Sequence, residues 1–158
     1  FIDQNLVEQL LACTRHHGVA PASLCLEVTE TALMENLDLA TSRLIELRAA
    51  GFRISLDDFG TGYSSLNYLK RFPVDQIKID RSFVSDITSD DQDAAIVAAI
   101  VTLASKFGLE LVAEGTETLA QVEKLRDLGC TVAQGYYFAR PMPAEQLGSL
   151  LASAGKLP

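Results

Sequence analysis

Apolar and polar residues alternate in five short stretches of the chain, and helical spacing follows each stretch. A period of two places successive side chains on opposite faces of a strand. In the first stretch, Leu26 and Val28 share one face, whereas Glu27 and Thr29 share the other. The predicted strands cover residues 24–29, 53–57, 76–80, 109–114 and 131–134.

The segments around these strands carry apolar residues at helical spacing, and several end at a glycine. We expect Asp3 and Asp38 to cap the first two helices. Residues 94–104 are apolar on more than one face, which favours a core helix over a subunit contact. The predicted helices cover residues 6–17, 39–50, a short piece through Leu66 and Leu69, 93–107, 118–128 and 143–154.

Repeated strand-loop-helix units predict an α/β fold with a parallel sheet, either open and doubly wound or closed as a barrel. Polar residues at or near the carboxyl ends of the strands separate these possibilities, because in a barrel such ends meet at one mouth. The chain has no glycine-rich phosphate loop of the kind that open sheets use. We therefore predict a TIM-type (β/α) barrel. The polar residues are Glu27, Asp57, Asp58, Lys78, Glu114 and Gln134.

Each of these residues also has a purely structural interpretation. Glu27 could cap the next helix, Asp58 could cap the glycine loop that contains Gly60 and Gly62, and Glu114 could pair with a lysine. Caps do not readily explain the shared position at successive strand ends. A lysine within a short strand needs carboxylates or a polar cavity, so we expect Lys78 to lie among the acids.

Composition narrows the function. With 158 residues, 48% of them hydrophobic, the chain can bury one core and is expected to form one domain. A net charge of −8 argues against nucleic-acid binding. Three cysteines without metal spacing, no signal peptide and no apolar stretch long enough for a membrane span predict a cytoplasmic protein. Because Phe1 opens the chain, we expect a fragment.

Four carboxylates without histidine or cysteine favour a hard oxygen site for Mg²⁺, Mn²⁺ or Ca²⁺ rather than zinc. Two such cations could clamp a phosphodiester and activate water. They would also supply the positive charge that the composition lacks.

Five sequence blocks keep a recognisable order and spacing. They are Glu27-Val28-Thr29-Glu30, residues 57–66 (DDFGTGYSSL), 73–80 (PVDQIKID), 113–117 (AEGTE) and 134–143 (QGYYFARPMP). Over nearly the whole chain, these blocks resemble the EAL domain of bacterial cyclic-di-GMP phosphodiesterases. The resemblance implies a modified TIM barrel that hydrolyses cyclic di-GMP to pGpG with two Mg²⁺ or Mn²⁺ ions, with calcium as an expected inhibitor.

The resemblance also implies residue roles. Glu27 resembles a ligand of one metal and Asp57 the bridging ligand, while Asp58 and Glu114 resemble ligands of the second metal. Glu114 is also the candidate that activates water, and Lys78 resembles the lysine that orients this water. The remaining implied residues are Gln134 near the substrate and the loop-anchoring glutamates Glu30 and Glu117.

The family's Glu-Ala-Leu strand, the arginine after it and the asparagine strand are absent from this sequence. A TIM barrel typically needs about 250 residues. We therefore expect residues 1–158 to be a partial EAL domain, an incomplete barrel of about five parallel strands with exposed edges, inactive or very weak alone.

Three functional alternatives remain open. A metal-dependent phosphodiesterase is favoured by the acid set, and a noncatalytic cyclic-di-GMP receptor is the runner-up. A third alternative is another Mg²⁺ barrel enzyme with Lys78 as a base. The resemblance adds expected partners, namely a second copy in a homodimer and an upstream sensor or GGDEF domain that could attach the protein to a membrane.

Overall fold

The fold is described from a computed structural model, which covers residues 3, 5–61 and 69–153. Its centre is a five-stranded parallel sheet in which each strand pairs with its neighbours in chain order. This confirms the prediction of about five parallel strands. The strands are β1 (Cys25–Thr29), β2 (Arg53–Phe59), β3 (Gln76–Ile79), β4 (Glu110–Glu114) and β5 (Ala133–Gln134).

Helices connect the strands and cover the outer face of the sheet. Besides a 3₁₀ turn at Pro21–Ser23, they are α1 (Leu6–His17), α2 (Glu30–Met34), α3 (Leu37–Ala49), α4 (Arg81–Ser85), α5 (Asp91–Phe107), α6 (Leu119–Asp127) and α7 (Ala144–Ser153). The short helix predicted through Leu66 lies mostly outside the described residues, although Leu69 is helical.

Two predicted helix caps were wrong, and two short helices were not predicted. Asn36, not Asp38, caps α3, because its side chain accepts a hydrogen bond from the Leu39 N–H at 3.1 Å. Asn5 rather than Asp3 stands at the N-cap of α1. Sequence spacing did not reveal α2 and α4, since helices of five residues are too short to show a period.

The hydrophobic core lies between the sheet and the helices. Strand register aligns Val28 with Leu56 and Leu56 with Ile77, so apolar residues form continuous rows on the helix-facing side. Helix α5 adds buried residues at helical spacing, including Val97 and Ile100, which agrees with the predicted core helix. The opposite face carries Glu27 and Lys78, so the two faces of the sheet have different chemistry.

Strand β2 contains an irregularity that the alternation pattern did not predict. Its register against β3 shifts between Leu56 and Phe59, and Asp58 has a φ of 55°. The predicted end at Asp57 was therefore too early, because β2 continues through both aspartates to Phe59. A bulge of this kind re-aims side chains at a strand end.

Within the described residues, no helix combines the length and the apolar character that a membrane crossing would require.

We predict that Ile77→Ala lowers the free energy of unfolding by about 2–5 kcal/mol, because truncation leaves a cavity in the middle of the core. Ile77 is 0% exposed. Ile45, which is 55% exposed in α3, is the matched control, and Ile45→Ala should change stability by less than about 1 kcal/mol. Urea unfolding of both variants checks this, and equal losses would contradict the described core.

Candidate functional site

Lys78 lies at the centre of a group of carboxylates on the inner face of the sheet. Its Nζ is 2.7 Å from an oxygen of Glu27, 2.7 Å from one of Glu114 and 3.2 Å from one of Asp57. These acids come from β1, β4 and β2, so three strands converge on the lysine of β3. The prediction that Lys78 meets carboxylates is confirmed.

The charge of Lys78 depends on these neighbours. Its side chain is only 5% exposed, and burial alone would lower the pKa of the ammonium group. Hydrogen bonds to Glu114 and Glu27 outweigh burial and raise the pKa above the ordinary lysine value. Lys78 is therefore a stable cation and a hydrogen-bond donor.

The bulge in β2 allows two consecutive aspartates to serve the same site. Adjacent residues of a regular strand point to opposite faces, but the positive φ of Asp58 breaks this alternation. The Asp58 N–H donates to Asp57 Oδ1 at 3.1 Å, and the Asp58 carbonyl accepts a hydrogen bond from Thr61 Oγ1 at 2.9 Å. These contacts hold the Asp57 carboxylate and the Asp58 backbone at the strand end.

Carboxylate oxygens of Asp57, Asp58 and Glu114 lie within 4.8 Å of one another. Burial and the nearby charge of Asp57 raise the pKa of the Asp58 carboxyl. Burial likewise raises the pKa of Glu114, although its bond to Lys78 opposes this effect. Crowded, half-buried oxygens of like charge are the donor set that Mg²⁺, Mn²⁺ and Ca²⁺ prefer, so these residues fit a divalent cation.

Glu27 does not belong to this group of three among the described residues. It is connected to the group through Lys78, and its side chain is 51% exposed. The described geometry therefore separates Glu27, which the sequence placed in one ring with the other acids, from the three clustered carboxylates. Its role as a metal ligand stays a prediction.

Glu30, which directly follows β1, contacts the glycine loop after β2. It is the first residue of α2 and is 2% exposed. Its Oε2 accepts a hydrogen bond from the Gly60 N–H at 3.4 Å, while Oε1 has no hydrogen-bond partner among the described residues. This contact is compatible with the predicted loop-anchoring role, but residues 62–68 of that loop lie outside the described residues.

Gln134 and Glu117 lie beside the acids and border a small cavity. Gln134 is exposed and is aligned with Glu114 in the pairing of β4 and β5. The cavity has a volume of about 210 Å³ and links Glu114 to the start of α4. Its lining residues are Arg81, Ser85, Glu114, Gly115, Glu117, Gln134, Gly135 and Tyr136.

Asp80 is a neighbour of the site that sequence reasoning did not select. It caps α4 by accepting hydrogen bonds from the backbone and hydroxyl of Ser82, and these bonds outweigh burial and lower the pKa of Asp80. Its charge and a side-chain hydrogen bond help to raise the pKa of Asp58. The available signal was the strand alternation, which places Asp80 on the same face as Lys78.

Residues 1–141 match the EAL domain family. The chain belongs to this family. The EAL assignment agrees with the resemblance carried by the five sequence blocks, and the parallel strands provide the corresponding part of the fold.

Named relatives of this EAL chain include cyclic-di-GMP enzymes. The bifunctional diguanylate cyclase/cyclic di-GMP phosphodiesterase MucR of Pseudomonas aeruginosa is 50% identical over 147 residues, which are 93% of this chain and 22% of MucR. The solved MucR phosphodiesterase in complex with cyclic di-GMP is 49% identical with a TM-score of 0.88, and the match covers 92% of this chain and 59% of that one.

Two further EAL structures have the same fold. The EAL domain of Mycobacterium smegmatis DcpA is 39% identical with a TM-score of 0.92, covering 100% of this chain and 70% of that domain. BlrP1 of Klebsiella pneumoniae, solved with manganese and cyclic di-GMP, is 38% identical with a TM-score of 0.84, covering 89% and 36% of the two chains. A calcium/cyclic-di-GMP complex of BlrP1 also matches.

We predict that Lys78→Met destabilises the protein when no divalent cation is present, because it leaves Glu27, Asp57 and Glu114 without their shared cation. Removing one partner of a buried ion pair costs roughly 3–5 kcal/mol, and solvent at Glu27 should reduce this to about 2 kcal/mol. Added Mn²⁺ should raise the Tm of the variant more than that of the unmodified protein.

Thermal unfolding with EDTA and with Mn²⁺ measures both effects. Lys106→Met, which removes an exposed lysine of α5, is the control and should leave both Tm values unchanged. If Lys78→Met had the same Tm as the unmodified protein in EDTA, the described charge balance would be wrong.

Proposed function

We propose that the protein hydrolyses cyclic di-GMP to the linear dinucleotide pGpG in a reaction that requires divalent cations. The observation that carries this proposal is the contact of Lys78 with Glu27, Asp57 and Glu114. Two of these acids, Asp57 and Glu114, also form the carboxylate cluster with Asp58. EAL relatives named as phosphodiesterases, and complexes of relatives with cyclic di-GMP, supply the substrate.

The proposed metal ligands are Glu27 for one cation, Asp57 as the bridge, and Asp58 with Glu114 for the second. Mg²⁺ and Mn²⁺ are the proposed activating ions, and Ca²⁺ is the proposed inhibitor. When bound, such cations offset phosphate charge and make water more acidic. The chain requires this contribution, because its net charge of −8 would otherwise repel an anionic substrate.

Lys78 and Glu114 are the proposed groups that handle the attacking water. The Lys78 ammonium can offset the charge that develops on the phosphate, and it can orient water when one of its three carboxylate contacts is exchanged for the water. The Glu114 carboxylate, 2.7 Å from that ammonium, is placed to accept the proton of the water. An ammonium in contact with three carboxylates is a donor rather than a base, which favours hydrolysis over a mechanism with Lys78 as base.

Gln134, Glu30 and Glu117 have supporting roles in this proposal. Gln134 is assigned to the substrate side because it borders the cavity beside Glu114. Glu30 is assigned to the glycine loop because it accepts a hydrogen bond from Gly60. Glu117 is assigned to the same supporting set, and it borders the cavity as well.

We also propose that this chain is the C-terminal part of an EAL barrel that upstream strands complete. Within the described residues, β1 and β5 each pair with a strand on one side only. Beside β5 runs a groove of about 860 Å³ with an apolar wall formed by Val132, Phe138, Met142 and Leu147. The chain also spans 22% of MucR and 70% of the DcpA domain.

A homodimer, an upstream sensor or GGDEF domain and a cytoplasmic location complete the proposal. The bifunctional name of MucR supports an upstream cyclase domain. All three cysteines fall within the described residues and are free thiols, which supports a reducing compartment. A noncatalytic cyclic-di-GMP receptor is the alternative, and the clustered acids Asp57, Asp58 and Glu114 favour the enzyme over it.

We predict that the longest natural form of the protein converts cyclic di-GMP to pGpG with Mg²⁺ or Mn²⁺ and that EDTA abolishes the reaction. Glu114→Gln should lower kcat by at least about 100-fold, because it removes the proton acceptor. Chromatography of the nucleotides measures both effects. Glu123→Gln, which changes an exposed glutamate of α6, is the matched control and should retain full activity.

Binding of cyclic di-GMP without any hydrolysis would contradict the enzyme and support the receptor. Full activity of Glu114→Gln would show that Glu114 does not handle the proton.

We predict that residues 1–158 alone hydrolyse cyclic di-GMP at least about 100-fold more slowly than the longest natural form, because the isolated chain lacks the upstream metal and phosphate ligands. Parallel assays at equal protein and Mn²⁺ concentrations make the comparison. Equal rates would refute the proposal of a partial domain.

A further inference from the structure

Gln121 forms a tether between two segments that flank the site. Its side chain lies in the first turn of α6 and is buried, with the residue 7% exposed. Gln121 Oε1 accepts hydrogen bonds from the N–H groups of Glu117 and Thr118, at 2.8 and 2.9 Å. Gln121 Nε2 donates to the carbonyl oxygen of Ser85 at 3.0 Å. Both ends of the amide are therefore engaged.

Only half of this arrangement is explained by helix capping. The bonds between Gln121 and Thr118 form a capping box, which satisfies backbone donors at the start of α6. The bond to Ser85 has no part in that motif, because Ser85 lies 36 positions earlier in the chain, at the end of α4. It satisfies a carbonyl that a helix end leaves without an intrahelical partner.

The tether joins the elements that carry Lys78 and Glu114. Helix α4 begins two residues after β3, the strand of Lys78, and residues 115–118 follow β4, the strand that ends at Glu114. Because residues 115–118 continue directly from Glu114, a shift of this segment relative to α4 would change the 2.7 Å contact between Lys78 and Glu114. The distance between these two groups thus depends on how the segments after their strands are held.

Close packing restricts the movement of residues 115–118 at two further points. A Cβ on Gly115 would lie 2.6 Å from the Cβ of Arg81, and a Cβ on Gly135 would lie 2.0 Å from the carbonyl oxygen of Thr116. Thr116 also donates its N–H to the carbonyl of Gln134 at 3.2 Å. The Gln121 amide also holds this segment, and because its contacts come from a side chain, a substitution can remove them.

We propose that Gln121 is a positioning residue, which holds residues 115–118 against α4 and thereby sets Glu114 relative to Lys78 and to the clustered aspartates. Gln121 itself touches neither substrate nor cation in this scheme. The inference rests on the proposed function in one respect, because the proposed function assigns Glu114 to the site.

Two substitutions separate positioning from capping. Gln121→Glu keeps an acceptor for the Glu117 and Thr118 N–H groups but replaces the donor to Ser85 with a carboxylate oxygen, which repels the Ser85 carbonyl. Gln121→Met keeps the length of the side chain but loses both functions. If Gln121 served only as a cap, Gln121→Glu would keep the Mn²⁺ affinity and the kcat of the unmodified protein.

The experiment uses the longest natural form of the protein and three measurements: hydrogen exchange of the Glu117 and Thr118 amides, Mn²⁺ affinity by calorimetry, and kcat with KM for cyclic di-GMP. For Gln121→Glu we expect retained amide protection, Mn²⁺ binding about 10-fold weaker and kcat about 10-fold lower, with KM within about two-fold. Gln121→Met should also lose the amide protection. Gln92→Met, at an exposed glutamine of α5, should change nothing.

Unchanged Mn²⁺ affinity and kcat in Gln121→Glu would overturn the positioning role. Because Mn²⁺ affinity does not require turnover, an unmodified protein that binds Mn²⁺ without hydrolysing cyclic di-GMP would contradict the proposed function and still allow this test. Absence of Mn²⁺ binding by the unmodified protein would overturn both.

Discussion

A single buried ammonium group in contact with three carboxylates is the interaction on which the rest of this structure depends. Lys78 could not be buried without acids, and Glu27, Asp57 and Glu114 would repel one another without a cation. At an intermediate dielectric, two unit charges 4 Å apart interact by about 4 kcal/mol, so neither set is stable alone at this density. Because each acid belongs to a different strand, the charge balance of the site requires the observed pairing register of the sheet. A slip of one residue in any strand would turn its charged group toward the core.

The single charge of Lys78 does not balance the acids around it, so the clustered carboxylates fit a divalent cation. Asp58 adds a further carboxylate near Asp57 and Glu114, so negative charge exceeds positive charge at the carboxyl edge of the sheet. Burial raises the pKa values of Asp58 and Glu114, and the charge of Asp57 adds to this effect. Meanwhile the helix-facing side of the same strands is closely packed and apolar, with Ile54, Ile77 and Ile79 at 0% exposure. The apolar contacts that stabilise the fold and the crowded carboxylates of the site thus lie on opposite faces of one sheet.

The sequence allowed prediction of the parts of the fold that repeat and of the side chains that alternation fixes. Five parallel strands, the long helices and the meeting of Lys78 with acids follow from periodicity and from the unfavourable burial of a lone lysine. Short features escaped prediction, because α2 and α4 span five residues each and the bulge in β2 has no periodic signal. Caps were misassigned where an asparagine and an aspartate lie close together, as at Asn36 and Asp38. The tether from Gln121 to Ser85 joins residues far apart in the chain, so spacing alone could not reveal it.

The left-handed backbone at Asp58 limits which acid this position can carry. Most side chains are disfavoured at a φ of 55°, whereas aspartate and asparagine adopt this region several-fold more often, because their short polar groups can bond to the local backbone. Glutamate has the same charge but lacks that tolerance. Chain conformation therefore selects the length of the acid here, and an aspartate doublet is the natural way to place two adjacent oxygens over one strand end.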